Sequence, residues 1–144
     1  MNTNLENEKK DKEILLSIVE EMSKSMTGAQ TTKHWADNVL WFDIPPFASK
    51  GVKIAYKEID EAFAQLQSFE VEILETDTFL NGNMGVVCSI QRWNIANKDG
   101  TVSAPLIMRQ TDCFEKQNGE WKVIHEHSSL PSGSDWNGEI IKEN

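Results

Sequence analysis

The sequence predicts an α+β fold: three N-terminal helices, then a long, mainly antiparallel meander. Two observations carry this. Apolar residues recur at helical spacing early in the chain, and Asn-Gly or Asp-Gly dipeptides stand at 81–82, 99–100 and 118–119. Helices first and hairpins after them is the pattern of helices laid on one face of a curved sheet.

Ile14, Leu15, Ile18, Val19, Met22 and Met26 share one helical face, with Glu and Lys between them. This predicts an amphipathic helix over 5–26, with Gly28 as its stop. A second, short helix is expected over 30–37, and Val39 to Ile44 read as a strand closed by Pro45 and Pro46. Ile54, Ile59, Phe63 and Leu66 align along a third helix over 51–66. Beyond residue 68 the dipeptides are type I′ hairpin signals and delimit four strands, 69–80, 84–97, 101–115 and 120–130.

No linker or repeat divides the 144 residues, so one domain spans 1–144, with its core over 8–131 and peripheral tails. The net charge of −9 argues against a nucleic-acid partner, which clustered Lys and Arg would have to supply. No apolar run nears the roughly 20 residues of a membrane span, and no signal peptide precedes the first helix; a soluble cytoplasmic protein is expected. Cys88 and Cys113 fall on adjacent strands, diagonal to one another, and are expected to be free thiols.

Two-residue loops would set the registers. Asn118-Gly119 would place Phe114 opposite Val123, Asp112 opposite His125 and Gln110 opposite His127. Asp99-Gly100 would place Trp93 opposite Leu106, Gln91 opposite Met108, Ser89 opposite Gln110 and Val87 opposite Asp112. Strand period 2 puts all of these, with Trp121, on the face under the helices. Arg92, Arg109, Thr111, Glu115, Lys122, Glu126 and Ser128 would then share the outer face with Ile90, Ile107 and Ile124. That mixed face suits a homodimer interface or a plain solvated face. On the inner face, polar groups gathered at one end imply a pocket, because an unsatisfied buried polar group costs roughly 1–3 kcal/mol.

The element order and the stretch Arg109 to Pro131, RQTDCFEKQNGEWKVIHEHSSLP, resemble the SnoaL-like and ketosteroid-isomerase-related proteins. These belong to the nuclear-transport-factor-2-like superfamily, whose fold is a cystatin-like cone. The stretch is also similar to the association domain of calcium/calmodulin-dependent protein kinase. The resemblance implies a strongly curved sheet and a cone pocket. It also implies either cofactor-free proton transfer of isomerase, cyclase or dehydratase type on an apolar carbonyl compound, or a non-catalytic binding or oligomerisation module. Asp43, before Ile44 and Pro45, stands where isomerases of this group keep their proton-abstracting aspartate. Their helix-one Tyr has no counterpart, since Tyr56 is the only tyrosine and lies on the third predicted helix.

The candidate catalytic residues are Asp43, Asp112 and His125. Asp43 is a base in apolar company or a turn aspartate bound to local backbone. Asp112 and His125 are an acid–base pair or a structural tie between strands. Ser89, Gln110 and His127 would polarise the substrate oxygen, while Trp41, Trp93 and Met108 would shape an apolar site for a small apolar molecule. Trp35 joins them as lining or as plain core. His125-Glu126-His127 with Asp112 has the composition of a two-His, one-carboxylate metal set, but no metal is expected. His34 reads as a helix-surface residue, and Trp136 as a tail residue that packs on a partner subunit.

Overall fold

The computed structural model describes residues 3–44 and 48–141. The elements in order are α1 (Thr3–Ser23), α2 (Gly28–Thr31), β1 (Trp35–Phe42), β2 (Ser49–Lys50), α3 (Val52–Ala64), β3 (Leu66–Asn81), β4 (Met84–Asn97), β5 (Leu106–Gln117) and β6 (Glu120–Ser129). The six strands form one open sheet in the order β2-β1-β6-β5-β4-β3. Every pairing is antiparallel except β1 with β6. This is the predicted α+β architecture, with a curved sheet and helices on its concave side. Pro45 and Pro46, expected to close β1, lie outside the described residues.

α1 forms as its periodicity dictates, burying Leu15, Ile18, Val19 and Met22. They pack with Trp35, Val39, Trp41, Ala55, Ile59, Val87, Phe114, Trp121 and Val123 into one core. Each fully buried side chain of this size contributes about 1.5–3 kcal/mol. The core fills one end of the concave face.

The second helix departs from expectation. It ends at Thr31, and Trp35, Ala36 and Asp37 already belong to β1. Thr27 caps it by accepting from the Gln30 N–H at 3.1 Å. Thr32 N–H donates to the Gly28 carbonyl at 2.9 Å and closes the turn. Gly28 opens this helix instead of stopping α1. A Cβ there would run into the Tyr56 carbonyl, so only glycine lets α2 reach α3.

Two hairpins differ in detail from their prediction. Asn81 pairs with Met84, so the first loop is Gly82-Asn83, with positive φ at Gly82 alone, the pattern of a type II′ turn. At Asp99-Gly100 the Asn97 N–H donates to the Thr101 carbonyl, so the loop holds three residues. The slip is recovered by Leu106, which pairs with Trp93 as predicted. Asn118 and Gly119 both take positive φ, the type I′ signature.

The decisive departure is in β6. Phe114 pairs with Val123, but the next pair is Cys113 with His125, so Ile124 is an extra residue on β6. This β-bulge reverses every side chain beyond it. Asp112 faces Glu126 and Gln110 faces Ser128, while His125 and His127 lie opposite Cys113 and Thr111. The predicted pairs Asp112–His125 and Gln110–His127 are not formed, and Glu126 and Ser128 belong to the inner face.

Candidate functional site

At the end of the concave face that the core leaves open lies a cavity of about 450 Å³. α1 to α3 supply Met22, Thr31, Ile59 and Phe63, and the α1–α2 connection Ser25; the sheet supplies Trp35, Trp41, Phe69, Gln91, Trp93, Met108, Gln110 and Glu126. Asp43 and Ile44, just beyond β1, and Ser103, before β5, complete much of the wall. Most of this surface is apolar. No Lys, Arg or His lines it among the described residues.

Alternation along β4 and β5 delivers the inward polar groups, and they bond in sequence. Trp93 Nε1 donates to Gln91 Oε1 at 2.8 Å, and Gln91 Nε2 to Ser89 Oγ at 2.8 Å. Ser128 Oγ donates to Gln110 Oε1 at 3.2 Å, and Gln110 Nε2 to Asp112 Oδ2 at 2.9 Å. Asp112 is 0% exposed and lies behind the cavity wall.

Glu126, absent from the sequence-derived candidates, lines the cavity in front of Asp112. Asp112 Oδ1 and Glu126 Oε2 find no N–H or hydroxyl donor among the described residues. Facing one another across β5 and β6, the two carboxyls hydrogen-bond to each other, which requires one proton between them. Burial, the Asp112 charge, that hydrogen bond and the Asp43 charge hold the Glu126 carboxyl well above the usual carboxylate range. Burial also raises Asp112, but the hydrogen bonds from Glu126 and Gln110 oppose the rise. The proton therefore rests on Glu126, which donates to Asp112.

Asp43 is half-buried at the cavity wall. Desolvation pushes its carboxyl up to about 7, against a smaller lowering by the Ile44 N–H, which donates to Oδ1 at 2.7 Å. Both sequence readings of Asp43 thus meet in one residue. The site holds a carboxyl poised near neutrality and, beside it, a carboxylic acid that keeps its proton. One can take a proton while the other donates a hydrogen bond.

Of the predicted candidates, Asp43, Trp41, Trp93, Met108 and Gln110 line the cavity. Ser89 and Asp112 are buried behind it. His125 and His127 are on the other face: His125 Nδ1 donates to the Leu40 carbonyl at 2.7 Å, and Phe42 meets both rings edge-on at 5.0 and 5.5 Å. The catalytic and substrate roles expected of these two histidines are therefore corrected. The two-His, one-carboxylate set does not assemble either, because its members point to opposite faces. His34 stands in the turn before β1, paired with Glu21 at 2.9 Å. Cys88 and Cys113 are unbridged. Trp136 is 90% exposed. No helix among the described residues is long and apolar enough to cross a membrane.

Comparison with known proteins agrees with this architecture. The family model described as a SnoaL-like domain matches residues 20–133. No curated protein matches the chain in sequence. Among solved structures, a nuclear-transport-factor-2-like protein of unknown function from Pseudomonas putida KT2440 is 18% identical, with a TM-score of 0.81, over 94% of this chain and 96% of that one. A ketosteroid isomerase-like protein from Erwinia carotovora atroseptica is 16% identical, with a TM-score of 0.68, over 83% and 92%. The association domain of C. elegans CaMKII is 11% identical, with a TM-score of 0.64, over 90% and 99%.

Proposed function

The chain belongs to the SnoaL-like domain family, and from that premise we propose that it binds a neutral, mainly apolar carbonyl compound and moves a proton at the carbon next to the carbonyl. The observation that carries this reading is the joint placement of Asp43 and Glu126 on one largely apolar cavity. In the step, the Asp43 carboxylate takes a proton from the α-carbon. The C–H electron pair forms the C=C bond of an enolate, and the carbonyl π pair moves to oxygen. Glu126 turns its single O–H from Asp112 to that oxygen, and Asp43 returns the proton to the same carbon or to a conjugated one. Such a base contributes about 10²–10⁴ in rate and each oxyanion donor about 10²–10³. The step calls on no cofactor. The likeness to a ketosteroid isomerase-like protein supports the same chemistry.

Solvent exchange tests it. In D2O, the protein is expected to speed loss of the α-proton signal of 2-tetralone above the buffer rate, and Asp43→Asn to remove the gain. An unaccelerated rate with the ketone bound would overturn the reading.

A second reading, assembly, is favoured by the outer face. There Ile90, Ile107 and Ile124 remain half-buried beside Lys122 and the exposed Arg109. We propose that this face is the homodimer interface. Ile107→Glu is expected to give a monomer by sedimentation, and an unchanged sedimentation coefficient would remove the proposal.

A further inference from the structure

The interior indoles differ in one respect. Trp35 Nε1 donates to Met22 Sδ at 3.1 Å, Trp93 Nε1 to Gln91 Oε1 at 2.8 Å, and Trp121 Nε1 to Asp11 Oδ1 at 3.0 Å. Trp41 Nε1 has no partner among the described residues, although the residue is only 5% exposed. An indole N–H can only donate, and buried polar groups are rarely left unpaired in native proteins. Trp41 lines the cavity and is the direct register partner of Glu126 across the parallel pair β1 and β6. Two adjacent strands therefore carry, side by side in the wall of one cavity, an indole N–H without a partner among the described residues and the carboxyl of Glu126.

We propose that Trp41 is the specificity-determining donor of this site: its indole N–H grips one oxygen of an uncharged carbonyl ligand, together with the Glu126 O–H when that turns from Asp112 to the ligand. This rests on the reading of the cavity as a carbonyl-binding site and adds to it a selection rule. The ligand must bring an acceptor, because a hydrocarbon of the same shape leaves the indole unpaired. It must also be neutral, because no cation lines the cavity among the described residues and a carboxylate would meet Asp43 without a counter-charge.

Three probes on one ring frame test the rule: tetralin, 2-tetralone and 1,2,3,4-tetrahydro-2-naphthoic acid. At pH 8, calorimetry is expected to rank the ketone above both others. Trp41→Phe should weaken the ketone roughly 3–10-fold, the worth of one neutral hydrogen bond, and leave tetralin within about twofold. The wild-type protein gives an independent readout through its ¹⁵N-labelled indoles. The Trp41 Nε1–H resonance should move downfield with 2-tetralone and not with tetralin, while those of Trp35, Trp93 and Trp121 stay in place. The proposal is overturned by equal weakening of ketone and hydrocarbon in Trp41→Phe, by an unmoved Trp41 resonance, by an acid that binds as tightly as the ketone, or by no binding of any probe. Measuring α-proton exchange in the same samples keeps the two ideas apart. Exchange with an unmoved Trp41 sinks this inference alone, whereas a shifted Trp41 without exchange sinks the proton-transfer reading alone.

Discussion

Glu126 and Ser128 face the cavity, while their chain neighbours His125 and His127 face outward. The inner pair joins a buried network in which every bond runs toward Asp112 or Gln110. The outer pair leans on Phe42, and only His125 holds a backbone group. The same four residues would exchange places in a regular ladder. What separates them is the single extra residue Ile124. The burial it imposes on Glu126 raises the pKa of that group, while His127 is left exposed on the outer face. A side chain's chemistry here follows from the face it is given, more than from its type.

The contrast between the two faces can be pushed until it breaks. The largest effect is expected inside: Asp43→Asn should lower the enzymatic α-proton exchange rate about 10²–10⁴-fold, measured on 2-tetralone by NMR, with the fold intact by circular dichroism. Next, Glu126→Leu strips Asp112 of one donor and leaves its buried charge to Gln110, at about 2–3 kcal/mol in chemical denaturation. Glu126→Gln keeps a donor in place and should cost less than half as much.

The pH dependence follows in size. Folding raises the Asp43 carboxyl from 3.8 to about 7. The folded state therefore binds this proton more tightly than the unfolded chain does. Its contribution to stability is complete below 3.8 and is lost as pH rises through about 7. Urea midpoints should thus fall between pH 5 and pH 8, and less steeply in Asp43→Asn. The exchange rate should move the other way, rising through about 7 as the base deprotonates.

Outside, the effects shrink. His125→Ala should cost about 1 kcal/mol through the lost bond to the Leu40 carbonyl. His127→Ala should stay within about 0.5 kcal/mol. Neither should alter the exchange rate; a large rate loss in either would refute the division of β6 into a working and a supporting face.

Much of the fold was legible because its signals are local. Leu15, Ile18, Val19 and Met22 mark the buried side of α1, and Asn118-Gly119 marks its hairpin, without reference to the rest of the chain. The inward placement of Ser89, Gln91, Met108, Gln110 and Asp112 followed from a register that a turn dipeptide sets. The short α2 was misread because Trp35 answers to the β1–β6 pairing, which lies far away in sequence. Glu126 was missed for the same reason. A bulge forms between two strands, and strict alternation carried past Val123-Ile124 puts every later residue on the wrong side. The doublet of two large apolar residues after alternating Trp121, Lys122 and Val123 was the one trace of it in the chain.

The most direct test of this arrangement is a carboxyl ¹³C NMR titration of side-chain-labelled glutamate, with the Glu126 signal assigned through Glu126→Gln. Glu126 should keep its proton well above the usual carboxylate range. A Glu126 signal that titrates within that range would contradict the account, because a carboxyl with an ordinary titration is neither buried against Asp112 nor able to hold the substrate oxygen.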